Sequence, residues 1–179
     1  AGMNVDQVAI GSCTNSSYRD LMTVAGMLAG KDVDPMTSLS ISPGSRQVLM
    51  SLSRNGALAD IVQAGARILE CTCGPCIGMG QAPSTDGVRV CTFNRNFFGR
   101  TGTKSASGYL VSPETAAATA INGVITDPRT MGTPPVITYP ERFPIDETLV
   151  LEPSADPDSI EIIRGPNIKP LPRKEPLPA

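Results

Sequence analysis

Hydrophobic positions along the first 130 residues follow two rhythms. Short apolar runs at residues 5–10, 39–42, 67–71 and 88–93 are too brief for helices and read as strands. Between them, apolar residues recur every three or four positions: Leu21, Met22, Ala25 and Leu28 in one stretch, then Val48, Leu49, Leu52, Leu58, Ile61 and Val62 in the next. That spacing gathers them on one helical face. Ser16 or Ser17 can cap the first helix, and Gly30 can close it in the left-handed conformation that glycine tolerates. Pro43-Gly44-Ser45 turns the chain into the second helical stretch. Ser112-Pro113-Glu114 offers a cap, a proline at the first helical position and an early acid for a last helix over residues 116–121. The order β-α-β-α-β-β-α predicts an α/β fold, a layered α/β/α domain with a mainly parallel sheet.

Beyond residue 130 the texture changes, because eleven of the 17 prolines fall between Pro134 and Pro178. Proline fixes φ and lacks an amide donor, so this stretch does not build a regular core. Its end, from Arg164-Gly165-Pro166 through Pro170, Pro172, Pro176 and Pro178, reads as a semi-rigid extended linker. The expected division is an α/β domain at residues 1–150 and a proline-rich linker at 151–179 leading to a further domain. With 179 residues and 40% hydrophobic content, one core is expected.

Charge removes several function classes. The chain carries 15 basic and 17 acidic residues, net −2, and no basic run, so no nucleic-acid partner is expected. No apolar run approaches the roughly 18 residues of a membrane span, and the start lacks a signal-peptide pattern. The expectation is a soluble protein of the cytoplasm, or of the mitochondrial matrix in a eukaryote, with no membrane partner. Five cysteines cannot form a complete disulfide set, and there is no histidine, so any metal would be held by sulfur or oxygen.

Three segments carry candidate chemistry, and each directly follows a predicted strand: Gly11-Ser12-Cys13-Thr14-Asn15, Cys73-Gly74-Pro75-Cys76, and Asn94-Arg95-Asn96-Phe97-Phe98-Gly99-Arg100. Ligands of open α/β sheets bind beyond the carboxyl ends of the strands, so the three loops can share one site. A Cys-x-x-Cys pair alone is equally a redox pair or half a zinc site. Adding Cys13 gives three soft thiolates without histidine, a donor set suited to an iron–sulfur cluster with one iron left open. Cys71 and Cys91 read as buried filler, Cys71 being the more credible rival ligand because it is two residues from Cys73. Arg95 and Arg100 can match carboxylates with paired hydrogen bonds, whereas Arg46, Arg54 and Arg67, on helical or strand-entry positions, read as solvated. Lys104 lacks the spacing of a phosphate loop.

Residues 10–18 (Ile-Gly-Ser-Cys-Thr-Asn-Ser-Ser-Tyr), Cys73-Gly74-Pro75-Cys76-Ile77-Gly78, Asn94-Arg95-Asn96-Phe97 with Gly99-Arg100, and Val111-Ser112-Pro113-Glu114 resemble, in order and spacing, the iron–sulfur (third) domain of the aconitase and isopropylmalate isomerase superfamily. Ser16-Ser17-Tyr18 and Gly74-Pro75 look more like the aconitase side than the isopropylmalate side. The resemblance implies a 4Fe-4S cluster held by Cys13, Cys73 and Cys76, with Asn94 against it, Arg95 and Arg100 on substrate carboxylates, and Ser12 among the substrate-binding residues. It implies an aconitate hydratase, a lyase of the tricarboxylic acid cycle that interconverts citrate and isocitrate through cis-aconitate. Acid–base groups would come from the remaining domains of the parent enzyme, including a mobile C-terminal one, so this chain alone would hold no catalytic residue and be inactive. Related hydro-lyases (homoaconitase, isopropylmalate isomerase or a methylcitrate-type dehydratase) and a non-catalytic thiolate metal-binding module are the alternatives.

Overall fold

A computed structural model describes residues 2–172 and 174. Five strands, β1 (Gln7–Gly11), β2 (Ser38–Ser42), β3 (Arg67–Ile68), β4 (Val88–Cys91) and β5 (Ser107–Leu110), form one sheet in the order β3-β2-β1-β4-β5, every neighbouring pair parallel. The helices are α1 (Tyr18–Leu28), α2 (Arg46–Arg54), α3 (Ala57–Gln63) and α4 (Pro113–Asn122). The expected α/β fold with a mainly parallel sheet is present.

Local signals set the helix ends. Ser17 caps α1 in a reciprocal box: its hydroxyl accepts from the Asp20 amide, and the Asp20 carboxylate accepts from the Ser17 amide at 3.0 Å. Ser45 and Ser112 cap α2 and α4 through their hydroxyls alone, each accepting from the amide three residues on. Asn55 and Gly56 divide what the apolar spacing presents as one helical stretch into α2 and α3, Gly56 taking a left-handed φ of 87°.

Strand order then decides which face each connection covers. The steps β1→β2 and β2→β3 move toward one edge of the sheet, while β3→β4 and β4→β5 move toward the other. Parallel crossovers are right-handed, so connections running in opposite directions lie on opposite faces. Accordingly α1, α2 and α3 share one face, and α4 joins them. Val8, Ile10, Leu39, Ile41 and Val90 point into that side and pack with Leu21, Val24, Leu28, Leu52, Ile61 and four buried alanines of α4 in one cluster. The other layer is residues 70–87, irregular except for a 3₁₀ turn at Gly74–Ile77.

Two expectations are corrected. The strand over 67–71 is only two residues long, and Cys71 lies beyond it in a bend, because the chain leaves the sheet edge to cross the second face. β5 has no counterpart in the sequence reading; Ser-Gly-Tyr-Leu is a short, largely exposed edge strand without apolar alternation.

The chain divides into Ala1–Ile145 and Asp146–Ala179. Within the first unit, residues past α4 run back over α1: the Tyr18 hydroxyl donates to the Thr138 carbonyl at 3.0 Å, and the Tyr18 ring meets those of Tyr139 and Phe143. In the second unit the only regular element among the described residues is a 3₁₀ turn at Pro157–Ser159. Pro176 and Pro178 of the expected linker lie outside the described residues. No helix among the described residues is long and apolar enough to cross a membrane.

Candidate functional site

Strand order reverses at β1, so the crevice of this sheet lies beyond the carboxyl ends of β1 and β4. Cys13 and Asn94 follow those ends directly. Gly11 closes β1 at φ 105°, and a Cβ there would sit 2.0 Å from the Ser42 carbonyl oxygen, so only glycine lets the ends of β1 and β2 approach. Ser12 and Asn15 both hold left-handed φ values, 68° and 53°, costly conformations that cluster at binding loops. They are held by the Ser12 amide donating to Ser42 O at 2.8 Å, the Ser16 hydroxyl donating to Ser12 O, and the Asn15 amide group donating to Thr92 O. Ser12 is buried, and its hydroxyl lies 3.9 Å from the Cys13 sulfur.

The Cys73–Cys76 turn rests on the second face of the sheet through side chain to backbone hydrogen bonds. Ser42 Oγ donates to Glu70 O at 2.6 Å, Arg67 Nη1 to Gly80 O at 3.0 Å, Gln7 Nε2 to Ala82 O at 3.2 Å, and Arg89 Nη2 to Pro75 O at 2.9 Å. Gly78 ends the turn at φ 83°, its Cα so near the Thr101 carbonyl that an added Cβ would sit 2.1 Å from that oxygen. This locks the cysteine turn to the loop bearing Arg100.

The Cys73 and Cys76 sulfurs are 2.7 Å apart, and Cys13 lies on the loop after β1. Cys76 is buried, while Cys13 and Cys73 face solvent. The hydrogen bond from Cys76 is the main cause that raises the Cys73 pKa, and Cys13 and the Arg100 charge oppose it. Arg100 Nη2 approaches the Cys76 sulfur at 3.8 Å, with its guanidinium 5.5 Å from the Phe97 ring centroid. Arg100 Nε and Thr14 Oγ1 are buried with no hydrogen-bond partner. Asn94 and Arg95 are exposed on the same loop. Cys71 is half-buried, its thiol pushed up by burial and then by Glu70. Cys91 is buried on β4 and pushed up by burial, as suits a packed thiol.

Among the described residues no group of three His, Cys, Asp or Glu side chains is spaced to hold one metal ion. An iron–sulfur cluster makes a different demand, because each thiolate binds its own iron. A donor set of three cysteines from two loops, two of them facing solvent beside orphaned polar atoms, fits such a cluster better than a mononuclear ion.

Sequence reasoning missed Arg89, fully buried beneath the cysteine turn, where its pKa is lowered by burial against the opposing pull of Cys91 and Cys76. The available signal was its position in Val-Arg-Val-Cys, a run typical of a central parallel strand buried on both faces.

The pattern of the aconitase family (aconitate hydratase) matches residues 1–123. The chain belongs to the aconitase family. Within that superfamily, it is 46% identical over 129 residues to the 3-isopropylmalate dehydratase large subunit 1 of Methanopyrus kandleri, covering 72% of this chain and 31% of that protein. It is 45% identical over 128 residues to the homoaconitase large subunit of Thermus thermophilus, covering 71% and 31%. A 3-isopropylmalate dehydratase large subunit 1 of Deinococcus radiodurans is 46% identical over 128 residues. The chain thus spans about a third of the length of the curated relatives it matches.

Proposed function

We propose that this chain is the thiolate-bearing part of a hydro-lyase that moves a hydroxyl between neighbouring carbons of a hydroxy-polycarboxylate by dehydration and rehydration. Cys13, Cys73 and Cys76 hold a 4Fe-4S cluster, and the observation that carries this is the 2.7 Å approach of the Cys73 and Cys76 sulfurs together with the place of the Cys13 loop at the switch point of the sheet. When bound, the cluster supplies an open iron that polarises the substrate hydroxyl as a Lewis acid. The chain's own residues bind and orient. Arg95 and Arg100 offer planar forks to substrate carboxylates, Arg100 with an Nε that has no partner within the fold. Asn94 donates from the exposed loop end, and Ser12 lines the floor beside Cys13. Proton transfer needs groups from the rest of the parent protein, as this chain has no histidine. Exposed Ile77, Met79, Phe97 and Phe98, the last 81% exposed, ring the site and form the surface that a further domain or a separate small subunit covers.

For substrate, the relatives' names favour 3-isopropylmalate or a homoaconitate-type acid. The Ser16-Ser17-Tyr18 phrase that favours citrate is weaker, because these side chains serve the fold: Ser16 holds Ser12 O, Ser17 caps α1, and Tyr18 holds Thr138 O. Gly74-Pro75 keeps citrate as the second reading. The test is the parent protein, reconstituted without oxygen and offered 3-isopropylmalate, homoisocitrate and isocitrate in turn while absorbance of the unsaturated acid is followed. Turnover of one of them, lowered by Arg95→Lys and Arg100→Lys, is expected, with none from the isolated chain. A cluster-loaded parent that dehydrates none of the three overturns the proposal and leaves the metal-binding module.

A further inference from the structure

Arg89 takes no part in the roles above, yet it is the largest fully buried side chain, at 0% exposure, and lies directly under the cysteine turn. One of its nitrogens, Nη2, donates to Pro75 O at 2.9 Å, between the two cysteines of the pair. Its guanidinium carbon sits 5.2 Å from the Phe93 ring centroid. Nε and Nη1 have no hydrogen-bond partner, and among the described residues no carboxylate pairs with it. A guanidinium is charged at any working pH, and a buried charge without a counter-ion is costly. The side chains able to offer negative charge are Cys76 and Cys91. Cys91 and Cys76 share one buried cluster on this face, and of the two only Cys76 stands in the cysteine turn that Arg89 holds, so its sulfur, and whatever that sulfur binds, is the charge that Arg89 faces from the site.

We propose that Arg89 is the buried counter-cation and positioning residue of the thiolate site, fixing the Pro75 carbonyl so that the Cys73–Cys76 turn is preformed and offsetting the negative charge of an iron–sulfur cluster bound there. The counter-cation half rests on the cluster reading; the positioning half does not. A nearby cation favours the reduced, more negative cluster, so the charge acts on reduction potential, and the hydrogen bond acts on the turn even in the apo protein.

The test uses the parent protein with Arg89→Met, Arg89→Gln and Arg89→Lys, read two ways. Midpoint potential of the reconstituted cluster should move to more negative values in Arg89→Met and Arg89→Gln and stay near wild type in Arg89→Lys, which keeps the charge. Alkylation of Cys76 in the apo protein, compared at a pH above its thiol pKa where loss of the cation no longer changes the thiolate fraction, should be at least about tenfold faster in Arg89→Met, matching the loss of one charged hydrogen bond. If Arg89→Met does not fold, the Gln and Lys variants still compare neutral with charged at similar polarity. Potentials equal in all variants overturn the counter-cation role, and unchanged alkylation overturns the positioning role. A wild-type protein that takes up metal but no sulfide sinks the cluster reading and the counter-cation role together, and alkylation alone then decides the positioning role.

Discussion

On one side of the sheet Val8, Ile10, Leu39, Ile41 and Val90 meet four helices in a single apolar cluster, whereas on the other Gln7, Ser42, Arg67 and Arg89 meet a loop with one 3₁₀ turn. The helical side is held by burial, which is non-directional and grows with apolar area. The cysteine side has only a small apolar cluster of Ala9, Cys76, Cys91 and Phe93 and is otherwise held by hydrogen bonds to loop carbonyls, each contributing only about 1 kcal/mol net but each fixing a position and direction. Stability therefore resides mainly on the first face and site geometry on the second. A loop with few apolar contacts belongs to the less stable part of a fold.

The largest break falls on the helical side. Leu21 is fully buried in α1, and Leu21→Ala should cost about 3 kcal/mol by chemical denaturation while leaving metal uptake per folded molecule unchanged. A smaller cost with a larger functional consequence is expected from Gly78→Ala. The left-handed φ and the Thr101 carbonyl in the way should cost about 2 kcal/mol, and displacement of the turn from the Arg100 loop should lower iron uptake as well. Smallest is Ser42→Ala, which removes the donor to Glu70 O and should cost about 1 kcal/mol in the melt yet slow metal uptake. Equal ratios of stability loss to uptake loss in all three variants would erase the distinction between the faces.

Much of the helical side was legible in the sequence because caps and apolar spacing are local: Ser17, Ser112 and Gly30 act where the pattern places them. The motif loops were legible because each follows a strand. β5 was not, since Ser107–Leu110 forms only by pairing with β4. The brevity of β3 and the burial of Arg89 were hidden for the same reason. Both follow from the return crossover that lays residues 70–87 across the second face, a consequence of strand order, which no local window contains. Arg67, read as a solvated side chain, instead donates to Gly80 O and Gln81 Oε1 on the crossing loop, a partner that no local window contains.

The most direct test of the thiolate site is iron and sulfide content after anaerobic reconstitution of five single variants. Cys13→Ser, Cys73→Ser and Cys76→Ser should each lose stable cluster and its visible absorption, because a hard alkoxide replaces thiolate poorly at iron, whereas Cys71→Ser and Cys91→Ser should keep both. Loss of the cluster in Cys71→Ser with retention in Cys73→Ser, or colourless zinc without sulfide in the wild-type protein, would contradict the account.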